Sequence, residues 1–271
     1  MRLSRPPFPP EHGSWALLAC AIVLGVGSAP SPGGATATML VVAAFSANMG
    51  RAALMAAMRR RDEAHARPWA LIWAGLGLAA AIGLLVEYGA YRLLWLVPVA
   101  GLVVVGHVGL SRIRTTRRFD RTLAGELMGA LGIGLLAPAA YVASGGPMGP
   151  TVGLVWLAAA AQSASGILHV RAIIGSLTSR SRAAPARIRP AVPMSAVYHL
   201  MLALGLIVLW RLVGPPAAIG FAVAYAPLIL RSILGFRRRS VAPRFTRIGI
   251  AETMLSLWCA GWTAAALRGV L

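Results

Sequence analysis

The chain has 271 residues, is 58% hydrophobic and 12% charged, and has a mean hydropathy of +0.73, too apolar for a soluble domain of this size. Its 26 basic residues, all arginine, face 7 acids for a net charge of +19, a balance that would suit nucleic acid only if the charges shared one soluble face. They fall between apolar runs instead, so no nucleic-acid partner is expected.

Nine apolar runs follow one another, over about 14–29, 36–58, 68–86, 93–110, 122–144, 151–169, 191–213, 216–234 and 248–267. Each is near the ~20 residues that carry a helix across a hydrocarbon core of about 30 Å. A β-barrel would alternate polar and apolar residues in shorter segments, whereas these runs are continuous and rich in Ala, Leu and Gly. The expected fold is all-α: a polytopic transmembrane bundle of about nine helices, forming one domain over residues 1–271.

Arg2 and Arg5 precede Glu11 and His12, which stand where the first run opens in Glu11-His12-Gly13-Ser14-Trp15. The first run also fits a cleavable signal peptide ending at Gly27-Ser28-Ala29, whose removal would leave eight helices with the loops oriented as before. Asn48 and Arg51 close the second run, and Arg59, Arg60, Arg61, Asp62 and Arg67 lie between the second and third. His107 ends the fourth and Glu126 begins the fifth. Gln162, Ser163 and His169 descend the sixth, with Arg171 after it. Tyr198 and His199 lie early in the seventh, Arg231 ends the eighth and Glu252 begins the ninth. Pro138, Pro193 and Pro227 are candidates to kink three helices. Cys20 and Cys259 stand singly inside apolar runs and suggest no disulfide framework.

Nearly every arginine lies before the first run or after an even-numbered one; only Arg92, Arg211 and Arg268 fall on the other side. Cytoplasmic loops retain Arg and Lys, so the N-terminus is expected inside and the C-terminus outside a bacterial cytoplasmic (inner) membrane. The basic loops are expected to touch anionic membrane lipid. The connection over 170–190 is the longest, and short Gly-Pro-Ser turns close the outer face.

With that orientation the buried polar residues share the inner half of the bundle. Ionisable groups at membrane depth need a partner or a cavity. Glu11, His12, Trp15, Asn48, Arg51, Glu126, Ser163, His169, Arg171, His199 and Glu252 are therefore the candidate lining of a cytoplasm-facing polar cavity. Plainer roles stand beside this one. Glu11, His12, Glu126 and Glu252 also suit helix N-termini, Asn48 and Ser163 suit interhelical packing, and Trp15, Trp69 and Trp95 suit interface anchors. No Walker A loop, HExxH, CxxC or GxSxG elbow is present, and neither a metal nor another cofactor is expected.

The opening Glu11-His12-Gly13-Ser14-Trp15-Ala16-Leu17-Leu18, the run Gly125-Glu126-Leu127-Met128-Gly129 with Ala137-Pro138-Ala139-Ala140, and His169-Val170-Arg171 resemble the YwiC-like family of bacterial integral membrane proteins. The resemblance implies a membrane protein and no particular chemistry. A more distant likeness is to the UbiA prenyltransferase superfamily, which implies nine helices, an inside N-terminus and functional loops after the second and sixth. The paired Asp-rich motifs that hold Mg²⁺-diphosphate in that superfamily are missing, since Asp62 and Asp120 are the only aspartates. The reading that follows is a UbiA-like bundle binding an amphipathic lipid or isoprenoid-type molecule, with Arg holding an anionic group; whether it is an enzyme stays open. A proton-coupled transporter or exporter, or an accessory subunit of a respiratory complex, is the alternative.

Overall fold

A computed structural model describes residues 12–31, 34–57, 63–113, 122–178, 191–237 and 245–269. The described residues are helical apart from short turns: α1 (His12–Ser28), α2 (Gly34–Ala57), α3 (Glu63–Val86), a 3-10 helix (Tyr91–Leu96) leading into α4 (Val97–Ile113), α5 (Leu123–Gly134), α6 (Leu136–Ala143), α7 (Pro150–Thr178), α8 (Ala191–Val213), α9 (Pro215–Arg237) and α10 (Phe245–Arg268). Each of the nine apolar runs becomes helix, as expected for backbone that has no water to bond. Among the described residues, seven helical stretches are long and apolar enough to cross a membrane, from Gly34–Leu54 to Pro215–Leu234, so this is a multi-pass membrane protein. The two remaining runs differ from those seven. The apolar part of α1 is shorter, Trp15–Ser28, and α10 interrupts its apolar residues with Arg247, Glu252, Thr253 and Ser256.

Two elements depart from the sequence reading. The fifth run is two helices, because α5 ends at Gly134 and Leu135 stands between it and α6. Pro138 explains the position of the break: a proline clashes with the carbonyl four residues earlier, here Gly134, and cannot donate to it. Pro227 lies inside a continuous α9 and Pro193 falls in the first turn of α8, where proline is tolerated. The sixth run continues to Thr178, which places Arg171 on α7 and not in the following loop.

Local signals set several ends. The Thr122 hydroxyl caps α5 by accepting from the Gly125 N–H at 3.1 Å. At the arginine-poor end, Gly145 (φ +84°) and Gly214 (φ +82°) take the left-handed conformation that closes α6 and α8.

The core lies where α1, α6, α7, α9 and α10 meet, around Leu24, Tyr141, Val155, Phe221, Tyr225 and Cys259. Small residues let the backbones approach, as packing between membrane helices requires. A Cβ on Gly25 would overlap the Ala137 carbonyl oxygen and come within 2.6 Å of the Ala140 Cβ and 2.9 Å of the Tyr141 nitrogen. On Gly220 it would sit 2.6 Å from the Ala266 Cβ. Helices α2 and α3 form a tight hairpin that joins the rest through Leu40 and Leu84 against Ala140 and Ala143. Its second attachment is an aromatic ladder, Trp15–Phe45–Trp73, with ring centroids 5.2 and 5.6 Å apart.

The close approach at Gly25 gives a direct test. Gly25→Ala should cost roughly 1–3 kcal/mol or more through overpacking, read as a lower thermal midpoint in detergent. Gly129→Ala, where nothing lies within 4 Å of the added carbon, should leave the midpoint unchanged or raise it.

Candidate functional site

Lateral polar contacts concentrate on α7 and its neighbours, toward the arginine-rich end. Antiparallel helices place late residues of α7 and α9 beside early residues of α5, α8 and α10. The late residues are Ser165, His169, Arg171, Arg231 and Ser232; the early ones are Glu126, Ser195, His199 and Glu252.

Two acid–arginine pairs form there. Arg171 Nε donates to Glu126 Oε2 at 2.5 Å across α7 and α5. Arg231 Nη1 donates to Glu252 Oε2 across α9 and α10. The second pair is the more buried, with side chains 12% and 18% exposed against 22% and 35% for Arg171 and Glu126. Glu126 and Glu252 therefore serve different arginines.

From Arg231 the network runs inward. Arg231 Nη2 donates to Ser165 Oγ at 3.0 Å, and Ser165 Oγ meets His199 Nε2 at 2.9 Å. His199 Nδ1 lies 2.7 Å from the Ser195 carbonyl oxygen, with the Ser232 and Ser195 hydroxyls at 3.2 and 3.5 Å. A carbonyl only accepts, so Nδ1 carries the hydrogen of a neutral His199 and Nε2 is then the acceptor. Ser165 must donate to Nε2 while accepting from Arg231. The donors thus point one way, from guanidinium to hydroxyl to imidazole to backbone, with Glu252 balancing the charge at the head. His169, one turn beyond Ser165 on α7, is buried and within electrostatic reach of Arg231 and His199.

Aromatic donors tie the same region together. Tyr198 Oη donates to the Ala161 carbonyl at 2.6 Å and Tyr225 Oη to the Ala158 carbonyl at 2.8 Å. The Trp156 indole donates to the Leu131 carbonyl at 3.1 Å. Each such interhelical bond contributes on the order of 0.6 kcal/mol in a membrane.

The structure brings together Glu126 with Arg171, and His199 with Glu252 through Ser165 and Arg231. It places His169 beside the second group. Ser163 is buried on the opposite side of α7 from Ser165, and Gln162 bonds toward Cys20 of α1. Trp15, Asn48 and Arg51 lie around the α2–α3 hairpin: Trp15 stacks on Phe45, Asn48 Nδ2 is buried with no hydrogen-bond partner among the described residues, and Arg51 is exposed. Glu11 lies outside the described residues, and only the backbone of His12 is described, at the start of α1.

Three members escaped the sequence reading as site residues: Ser165, Ser195 and Ser232. Arg231 was legible only as a helix end. The spacing Gln162, Ser165, His169 puts all three on one helix face, a signal that favours Ser165 over Ser163.

A model of the family described as YwiC-like protein matches residues 8–141, which covers α1 to α6 and, of the two ion pairs, only Glu126. No curated protein and no solved structure matches the chain.

The difference in burial between the pairs predicts unequal mutational costs. Glu252→Gln leaves Arg231 charged and unbalanced, and should lower stability by about 3–5 kcal/mol. Glu126→Gln, at the more exposed pair, should cost about 1 kcal/mol or less. Restoring neutrality with Glu252→Gln/Arg231→Met should recover much of the first loss, read by thermal unfolding in detergent.

Proposed function

We propose, for a multi-pass membrane protein whose residues 8–141 belong to the YwiC-like family, that the network from Glu252 to His199 is the proton-binding element of a membrane transporter or exporter. The observation that carries this reading is the one-way chain of donors through Ser165. It is complete only when His199 is neutral. A proton added at Nε2 makes that nitrogen a donor, so Ser165 must accept from both sides and its own hydroxyl hydrogen must find another acceptor. The new imidazolium would also face Arg231, with Glu252 as the carboxylate able to balance it. Protonation therefore sets the α8–α9–α10 contacts against one another, which is what a coupling site needs. In this reading the arginine-rich connections face the cytoplasm across a bacterial inner membrane.

The amphipathic-lipid reading of the same cavity, with or without UbiA-like transfer, needs arginines free to hold an anionic group. Arg171 and Arg231 are each engaged by a carboxylate, so the geometry supports the proton-linked reading better.

The test needs no identified cargo. Protein reconstituted in liposomes on a sensor electrode should give a transient current on a rapid pH step. His199→Gln, which keeps hydrogen-bonding atoms but does not titrate, should lower it on the order of tenfold if this is the charge-carrying site, while Ser165→Ala reports how far the relay matters. No wild-type current above empty liposomes, or an unchanged current in folded His199→Gln, would sink the proposal.

A further inference from the structure

On the far side of the bundle from the polar network, toward the arginine-poor end, lies an apolar cavity of about 360 Å³. Early α2 (Leu40), late α3 (Leu84), the 3-10 helix with the start of α4 (Leu93, Val97), and the α5–α6 break (Leu135, Leu136) supply its walls. It exists because the α2–α3 hairpin is anchored to α6 at Leu40 and Leu84, while α4 packs on α5 beside it. Small residues, Ala43, Ala81, Ala100, Gly132 and Ala139, line the gap that these contacts leave unfilled. All the walls belong to membrane-spanning stretches.

Such a space does not hold ordered water, because no side chain on its walls offers a hydrogen bond. It is open at the side, where the neighbouring residues Leu78, Ile82, Leu94 and Val97 are exposed on lipid-facing helices. The solvent there is hydrocarbon, so a chain of the surrounding lipid is the occupant at hand. The rim supplies the other half of an amphiphile's site. Three of the lining leucines, Leu93, Leu94 and Leu96, sit in the same short helix as Arg92, the one basic residue of that turn. Exposed Tyr88, Tyr91 and Trp95 flank Arg92 in the sequence, the amphipathic aromatics that mark head-group depth. Exposed Glu87 precedes Tyr88 at the same rim, so the selection of an anionic phospholipid rests on the Arg92 guanidinium as the group that binds phosphate.

We propose that this cavity is a lipid site, which takes one acyl chain of an anionic phospholipid while Arg92 holds its phosphate. The site is separate from the polar network and does not depend on it. A bound chain would complete the contact between the α2–α3 hairpin and α4–α6, where the protein's own side chains leave a gap.

The test uses the full-length protein in vesicles doped with phosphatidylglycerol carrying a photoactivatable group in one acyl chain, with labelled residues mapped after irradiation. Labelling should concentrate on Leu40, Leu93 and Leu136, several-fold above the freely exposed Leu212 of α8. Ala139→Phe and Ala100→Leu, which fill the cavity from different helices, should each remove that excess. Phosphatidylcholine with the same chain should label the cavity less, and Arg92→Gln should abolish the difference between the two lipids. Labelling spread evenly over the lipid-facing helices, or unchanged in both filled variants, overturns the site. Equal labelling by both lipids in the wild type overturns the role of Arg92 and with it the anionic lipid.

Discussion

Inside an apolar bundle no water meets a polar atom, so every donor and acceptor left over from helix formation must find protein. In this chain α7 meets that demand for most of its neighbours. Its carbonyls at Ala158 and Ala161 accept from Tyr225 and Tyr198, its Trp156 donates to α5, and its Ser165 and Arg171 join α8, α9 and α5. The other contacts of the core are consistent with that arrangement. Gly25 and Gly220 bring α1 and α9 close to α6 and α10, toward the arginine-poor end, away from the polar contacts of α7. Directional bonds join the helices at the arginine-rich end, and small residues let them approach at the other.

The two sides of the molecule are built by different means. Around α7 to α10 the helices are joined by directional bonds, each of which fixes a register. The α2–α3 hairpin meets the rest through apolar contacts and the Trp15–Phe45–Trp73 ladder, which fix distance more than register. Buried Ser46 Oγ and Trp73 Nε1 of the hairpin have no hydrogen-bond partner among the described residues, and Arg231 Nε in the polar network has none either. A junction made this way tolerates a gap, and the apolar cavity lies at it. On the polar side, moving one helix breaks the bonds that run from Arg231 through Ser165 to His199.

How much of this was legible in the sequence depends on range. The helices were, because a membrane span is a property of twenty consecutive residues. Depth was also legible: arginine asymmetry and helix count put Glu126, Arg171, His199 and Glu252 at one end, where the structure has them. Pairing was not, since a sequence gives the height of a residue in a helix but not the azimuth of its neighbours. The height of Glu252 does not by itself distinguish Arg231 from Arg171; the adjacency of α9 and α10 does. The serines were hidden for a related reason, as Ser165 differs from Ser163 only in facing Arg231. The break at Leu135 was half legible: Pro138 announces a disturbed helix, but whether the chain bends or stops depends on which donors reach the freed carbonyls, and Trp156 of another helix donates to that of Leu131.

Charge balance separates the roles of the arginines. A basic group in a connection between spans costs little where it meets water, and at an anionic membrane surface such a group is worth about 1 kcal/mol. Arg171 and Arg231 each have a carboxylate, so each pair is close to neutral overall. A neutral pair exerts a weak field at a distance and does not draw in an anionic ligand as a free guanidinium would. It does respond to one added charge nearby, because the pair can redistribute its bonds while a lone charge has none to exchange. His199 is the group positioned to deliver that charge, with Ser165 as the only atom between it and Arg231 in the chain of bonds. The same burial that makes Arg231 and Glu252 costly to separate is therefore what makes them sensitive to a proton on the imidazole.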